Sequence, residues 1–192
     1  KLDYIYSESA NIYLDLQRRV VNYIFEGKDT NGETAIQEAN LAFFNPKIGL
    51  FHELNETQVI YASFAVSNKE PNRNDYVEST PNSRPKHETL HDTEIGYKQK
   101  GEKLTLRINL YHMNYKNQLV LNGQINDVGA FTRINIENSY RQGLEMEGAY
   151  KANSKIKWKG NMTLSENKIV KHTAYIDNWD NWGQEEVEDT DT

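Results

Sequence analysis

Apolar and polar residues alternate along several stretches of the chain, the pattern of β-strands that present one apolar side. The most regular stretch begins at Leu104, where the apolar positions are Leu104, Leu106, Ile108 and Leu110. The intervening positions are Thr105, Arg107, Asn109 and Tyr111. No long segment keeps apolar residues at the three-and-four spacing of an amphipathic helix, so the pattern predicts an all-β protein.

Seven such stretches predict seven strands, at residues 12–25, 43–54, 58–68, 90–98, 103–121, 133–151 and 155–169. Connections of three or four residues alternate with long loops near 26–42, 69–89, 122–132 and 170–192. Tight turns at one end and large loops at the other are typical of outer-membrane barrels. Residues 1–192 are therefore predicted to be one partial barrel domain, an antiparallel meander that forms a sector of a large transmembrane β-barrel.

Each apolar band begins beside a short turn and covers four or five alternate positions. A membrane-spanning strand needs about 9–11 residues, so the height of the band fits a bilayer. The residues predicted to face lipid are Ile60, Phe64, Leu104, Leu106, Ile108, Leu110, Leu144, Met146, Ile156 and Trp158. The residues predicted to face the lumen or a plug are Arg107, Asn109, Arg141, Glu145 and Glu147.

In two of the predicted strands, 12–25 and 90–98, the alternation does not decide which residues share the apolar side. Arg18 interrupts the apolar positions of 12–25, and the set His91, Thr93, Ile95 and Tyr97 is only weakly apolar. Alternation by itself also fits a soluble secreted β-sandwich that acts as a binding module. That alternative predicts that the apolar side of Leu104 to Leu110 is buried against a second sheet.

Charge and composition exclude several functions. The formal net charge is −6, but seven acids lie between Asp177 and Asp191 with no Lys or Arg, which leaves the body of the chain at +1. No basic stripe indicates nucleic-acid binding. The chain has no cysteine, and no apolar run approaches the ~18 residues of a membrane helix. No sequence signature of a cofactor site is present.

One motif resembles a catalytic site. Residues 87–91 read His-Glu-Thr-Leu-His, the H-E-x-x-H pattern in which a helix places two zinc ligands on one face. Pro81 and Pro85 lie just upstream and disfavour a helix here. The sequence therefore predicts no catalytic, metal-binding or cofactor-binding residues, and the chain is predicted not to be an enzyme.

Five segments together resemble the C-terminal half of the barrel of TonB-dependent outer-membrane receptors, particularly Bacteroidetes-like ones. Residues 43–50 resemble the strand F-N-P-K-x-G-L, and residues 61–73 resemble Y-A-S-x-S-x-x-x-x-P-x-R. Residues 88–98 are similar to P-E-x-x-x-x-x-E-x-G-Y-K, which gives the histidine motif a non-catalytic explanation. Residues 104–118 and 139–147 resemble the family's long strand and its R-x-G-x-E-x-E strand.

The resemblance implies a 22-stranded barrel around an N-terminal plug, in the outer membrane of a Gram-negative bacterium. Such receptors import a scarce nutrient, such as an iron–siderophore complex, haem, cobalamin or a glycan. The expected partners are outer-membrane lipid, the TonB complex through N-terminal regions that this fragment lacks, and a small-molecule or glycan ligand. Ligand capture is expected on loops 69–89 and 170–192, where Trp179 and Trp182 are candidates for stacking on a ring.

Overall fold

The computed structural model describes residues 1–28, 34–77, 84–125, 131–178, 180 and 183–189. These residues form ten strands and one short helix. In chain order they are β1 (Leu2–Ser7), β2 (Ala10–Lys28), β3 (Thr34–Asn55), β4 (Gln58–Lys69), α1 (Arg73–Val77), β5 (Glu88–Lys100), β6 (Leu104–Ile125), β7 (Phe131–Lys151), β8 (Lys157–Ile169), β9 (His172–Asn178) and β10 (Gly183–Asp189).

Strands β1 to β8 form one sheet in which every strand pairs with its chain neighbours. All seven pairings are antiparallel, so the predicted all-β meander is confirmed. The hairpin of β9 and β10 forms a separate two-stranded sheet. Among the described residues, no helix has the length and apolar character needed to cross a bilayer.

The four short turns lie side by side at one end of the sheet. Backbone hydrogen bonds connect successive turns, from the N–H of Glu53 to the oxygen of Ser9 and from the N–H of Lys100 to the oxygen of Thr57. Asn55 and Asn153 each accept backbone N–H groups with the side-chain oxygen, which is the Asx-turn geometry that closes a tight loop. All long connections therefore leave from the opposite end.

The predicted strand number and loop lengths are wrong. β1, β9 and β10 were not predicted, because each is only six or seven residues long and β10 lies in a run of acids that resembles a solvated tail. β2, β3, β6 and β7 also continue past the predicted strand ends, into the loops predicted near 26–42 and 122–132. Backbone pairing needs no apolar face once a hairpin is in register, so alternation underestimates such extensions.

Few apolar side chains are buried. In the described part of the chain the buried ones are Ala39, Phe43, Tyr76 and Ile136. By contrast, Leu110 is 52% exposed and Trp158 is 69% exposed. Within the described ranges no second sheet covers the side that carries these residues, which contradicts the β-sandwich alternative.

Candidate functional site

The register of the sheet separates two faces. Directly opposed residues share a face of a sheet, and Leu110 is opposed to Leu144, which is opposed to Leu164. We call this side the apolar face; strand register places on it the predicted residues Ile60, Phe64, Leu104, Leu106, Ile108, Leu110, Leu144, Met146 and Trp158. Ile156 is the exception, because it lies in the turn before β8.

We call the other side the polar face. It carries all five residues predicted to face the lumen, since Arg107 is opposed to Glu147, Asn109 to Glu145, and Met113 to Arg141. The weakly apolar predicted strand at 90–98, which is part of β5, has the expected register, because Thr93 and Ile95 are opposed to Phe64 and Ala62 on the apolar face. Arg18 is also on the apolar face, opposite Phe44.

The apolar band is oblique to the strand pairing. One row of opposed residues crosses seven strands, namely Leu14, Ile48, Phe64, Thr93, His112, Gln142 and Glu166. This row is apolar on β2 to β4 and polar on β5 to β8. On β2 the apolar residues Leu16 and Val20 lie beyond the row, toward the long loops. On β8 the apolar residues Leu164, Met162 and Trp158 all lie between the row and the short turns.

Hydrogen bonds and an ion pair connect strands β4 to β7 across the polar face. The Tyr61 hydroxyl donates to Asn109 Oδ1 at 3.0 Å, and Asn109 Nδ2 donates to Glu94 at 3.5 Å. Arg107 lies 3.9 Å from Glu147, and both side chains are largely exposed. Side-chain contacts therefore join four neighbouring strands on the polar face.

Three tyrosines lie over glycines of the neighbouring strand on the same face. The directly opposed pairs are Tyr13 with Gly49, Tyr61 with Gly96, and Tyr111 with Gly143. A Cβ added at Gly49 or Gly96 would overlap the tyrosine ring, and at Gly143 it would lie 2.6 Å from the Tyr111 hydroxyl. Only a residue without a side chain leaves room for rings that lie this close to the backbone.

At the long-loop end, the β4–β5 connection folds over the polar face and is held there by Arg19. The Arg19 guanidinium donates to both Glu70 carboxylate oxygens, at 2.9 and 2.5 Å, and to the backbone oxygen of Asn68 at 3.0 Å. It also lies 4.9 Å from the centre of the Phe43 ring. The hydrogen bond from Arg19 holds the pKa of Glu70 below its ordinary value.

Helix α1 packs on the same region through Tyr76. The Tyr76 ring lies 5.2 Å from the Phe25 ring, and the Arg84 guanidinium lies 5.2 Å from the Tyr76 ring. Tyr76 is 2% exposed, and this burial raises the pKa of its hydroxyl. Arg133 on β7 pairs with Asp75 of the helix at 3.1 Å. The described parts of residues 70–87 thus form an inner wall at the long-loop end.

The histidine motif lies at the start of a strand, not on a helix. Residues 88–91 belong to strand β5, in which four residues span about 13 Å instead of one helical turn. His87 lies against Phe43 of the polar face, whereas His91 stacks on Phe64 of the apolar face. Within the described ranges, no group of three or more potential ligands is arranged to hold a metal ion.

Comparison with known proteins identifies the family. A family profile described as TonB dependent receptor-like, beta-barrel matches residues 10–190. The chain belongs to this family. Barrels of TonB-dependent receptors lie in the outer membrane of Gram-negative bacteria, which confirms the predicted localisation. No curated protein sequence matches the chain.

Solved receptors share the fold of this TonB-dependent receptor barrel. The copper transporter OprC superposes with a TM-score of 0.71 at 16% identity, over 87% of this chain and 28% of that protein. The siderophore receptor PiuA from Acinetobacter baumannii gives 0.67 at 16% identity, over 94% and 26%. The ferric-catecholate import receptor Fiu from E. coli K12 gives 0.61 at 17% identity, over 85% and 26%. The chain thus spans about a quarter of each receptor.

Sequence reasoning missed two features of this receptor barrel. The first is the Arg19–Glu70 link, which joins residues 51 positions apart and has no local signature. The second is the set of tyrosine–glycine pairs, for which isolated glycines inside strands are a usable signal. Trp179 and Trp182, the candidates for ligand stacking, lie outside the described residues.

Proposed function

We propose that this chain forms part of the wall of a receptor that imports a scarce nutrient, such as an iron–siderophore complex. In this proposal the apolar face contacts outer-membrane lipid and the polar face lines the interior. The whole receptor would engage the TonB complex through regions outside this chain, and it would import rather than transform its ligand.

The oblique apolar band is the observation that carries the proposal. The band of lipid-facing residues runs parallel to the membrane plane. On tilted strands it must therefore fall at a different position along each successive strand. From β2 to β8 the apolar residues move toward the short turns relative to the row of opposed residues. A shift in this direction along successive strands is what the tilt of about 35–45° in membrane barrels produces.

The ligand class is supported by the inner wall at the long-loop end. Aromatic and cationic groups converge there, among them Tyr23, Arg84 and His87. Such a set suits an anionic complex with ring systems, through charge and cation–π contacts. Fiu and PiuA are described as receptors for ferric catecholates and siderophores, which is consistent with this class.

Site-directed spin labelling tests the assignment of the faces, and this chain contributes no native cysteine that would compete for the label. Single cysteines at Leu106, Ile108 and Leu110 in the intact receptor in lipid should be accessible to oxygen and protected from a water-soluble nickel complex. The matched positions Thr105, Asn109 and Tyr111 on the same strand should lack this oxygen preference. Equal accessibility on both faces, or the opposite pattern, would refute the proposed membrane orientation.

Nutrient import is tested by growth and uptake in cells that depend on the intact receptor. A panel of ferric catecholates, ferric hydroxamates, haem and cobalamin should reveal one class whose uptake requires the receptor. If the receptor is folded in the outer membrane but no iron complex depends on it, the siderophore assignment is wrong.

A further inference from the structure

Cations collect on the polar face at the short-turn end. Three successive rows across β5 to β8 read Lys98–Arg107–Glu147–Asn161, Lys100–Thr105–Ala149–Lys159 and Lys151–Lys157. These rows hold six cations and one carboxylate. The whole chain has a net charge of −6, so this end of the wall is locally opposite in sign.

The cations are poorly compensated by the sheet itself. Lys98 is directly opposite Arg107, and Lys151 is directly opposite Lys157. Like charges in opposed positions destabilise a sheet. Among the described residues no carboxylate lies within 4.0 Å of Lys98, Lys100 or Lys159, and the contact of Arg107 with Glu147 is long, at 3.9 Å.

These side chains surround a groove of about 600 Å³. Its charged lining consists of Lys98, Lys100, Arg107, Lys159 and Glu147. Lys98 is positioned by the Tyr61 ring, 4.7 Å from its ammonium group. The volume lies in the range of small-ligand sites, about 300–1,000 Å³.

We propose that this groove is a binding site for a small multivalent oxyanion, such as a polycarboxylate or a phosphate ester, near the short-turn mouth of the receptor interior. The inference rests on the proposed function, since it takes the polar face as the interior wall. The sheet leaves four cations around one carboxylate in this groove, so a bound anion gains charge-assisted contacts that the wall itself does not supply. A multivalent anion supplies the opposite charge within the volume of the groove.

The test is isothermal titration of the intact receptor in detergent with citrate, inorganic pyrophosphate and, as an uncharged probe, trehalose. Lys159→Gln and Lys98→Gln should each weaken anion binding by up to about fivefold, and the double variant by about tenfold. Binding should weaken as ionic strength rises. Lys155→Gln, which removes the same charge from the exposed turn between β7 and β8, should leave the affinity unchanged.

Each outcome decides the inference. Citrate binding that falls in the lysine variants supports carboxylates as ligands, and pyrophosphate binding that falls supports phosphates. The site is overturned if neither anion binds, or if the double variant binds them as tightly as the native receptor. It is also overturned if neither anion binds and the double variant loses thermal stability, because an acidic segment of the receptor would then fill the groove. If the receptor imports a nutrient but the double lysine variant binds anions with unaltered affinity, this inference alone is wrong. If the groove binds anions but the receptor imports no nutrient, only the proposed function is wrong.

Discussion

Adding one methyl group at Gly96 should disrupt the contact between β4 and β5. The new Cβ would overlap the Tyr61 ring, so the ring must leave its position over the backbone. Overpacking of this kind costs about 1–3 kcal/mol. Displacing the ring also weakens the hydrogen bond to Asn109, worth about 1 kcal/mol, and the contact with Lys98, worth about 0.5–1 kcal/mol.

One term opposes this loss. Alanine restricts the unfolded chain more than glycine does, which stabilises by about 0.5–1 kcal/mol where the backbone accepts it. The expected net effect of Gly96→Ala is therefore a loss of about 1.5–4.5 kcal/mol. Gly160→Ala is the matched control, because Gly160 also lies within a strand and a Cβ there would meet nothing within 4 Å.

Denaturant unfolding of the intact receptor in micelles, followed by tryptophan fluorescence, measures both variants. Gly160→Ala should leave the midpoint unchanged or slightly higher, whereas Gly96→Ala should lower it. In a Tyr61→Ala background the Gly96→Ala change should lose most of its effect, since the ring that it displaces is gone. Equal midpoints for the two glycine variants, or the same loss with and without Tyr61, would refute the steric explanation.

Two further predictions concern the faces and the inner wall. Ile108→Arg places a charge on the proposed lipid face and should destabilise the receptor in bilayers by about 2–4 kcal/mol. Asn109→Arg on the adjacent polar position should cost only about 1 kcal/mol, because it removes the hydrogen bond from Tyr61. Equal losses would contradict the assignment of the faces. The contribution of the Arg19–Glu70 pair to the free energy of unfolding should be complete above the unfolded-state pKa of Glu70. It should be lost as the pH falls through the lower folded-state pKa, because the protonated acid no longer pairs with the guanidinium. The hydrogen-exchange protection factors of residues 70–77, which divide out the intrinsic slowing of amide exchange at lower pH, should therefore fall on acidification in the native receptor and be low at all pH values in Glu70→Gln. Protection factors in the native receptor that do not change with pH would argue against the link.

Strand identity was readable from local pattern because neighbouring side chains in a strand alternate between faces. The strand from Leu104 to Leu110 illustrates this, because its four apolar residues lie on one face while Arg107 and Asn109 lie on the other, as predicted. The strands β9 and β10 were missed because each has only seven residues, and Glu186 and Glu188 beside Val187 give that segment the composition of a solvated acidic tail. Alternation also predicted that Ile156 faces lipid, because it lies two residues before Trp158, but Ile156 belongs to the turn before β8.

The amino-acid sequence alone thus determined the all-β meander, the side of each strand on which a residue lies, and the resemblance to TonB-dependent receptors. These properties depend on residues close together in the chain. The oblique band, the rings over Gly49 and Gly96, the Arg19–Glu70 link and the cationic groove emerged only from the tertiary structure. Each depends on which residues are brought together across strands or from distant segments, a choice made by pairing and packing over long sequence separations that no local pattern records.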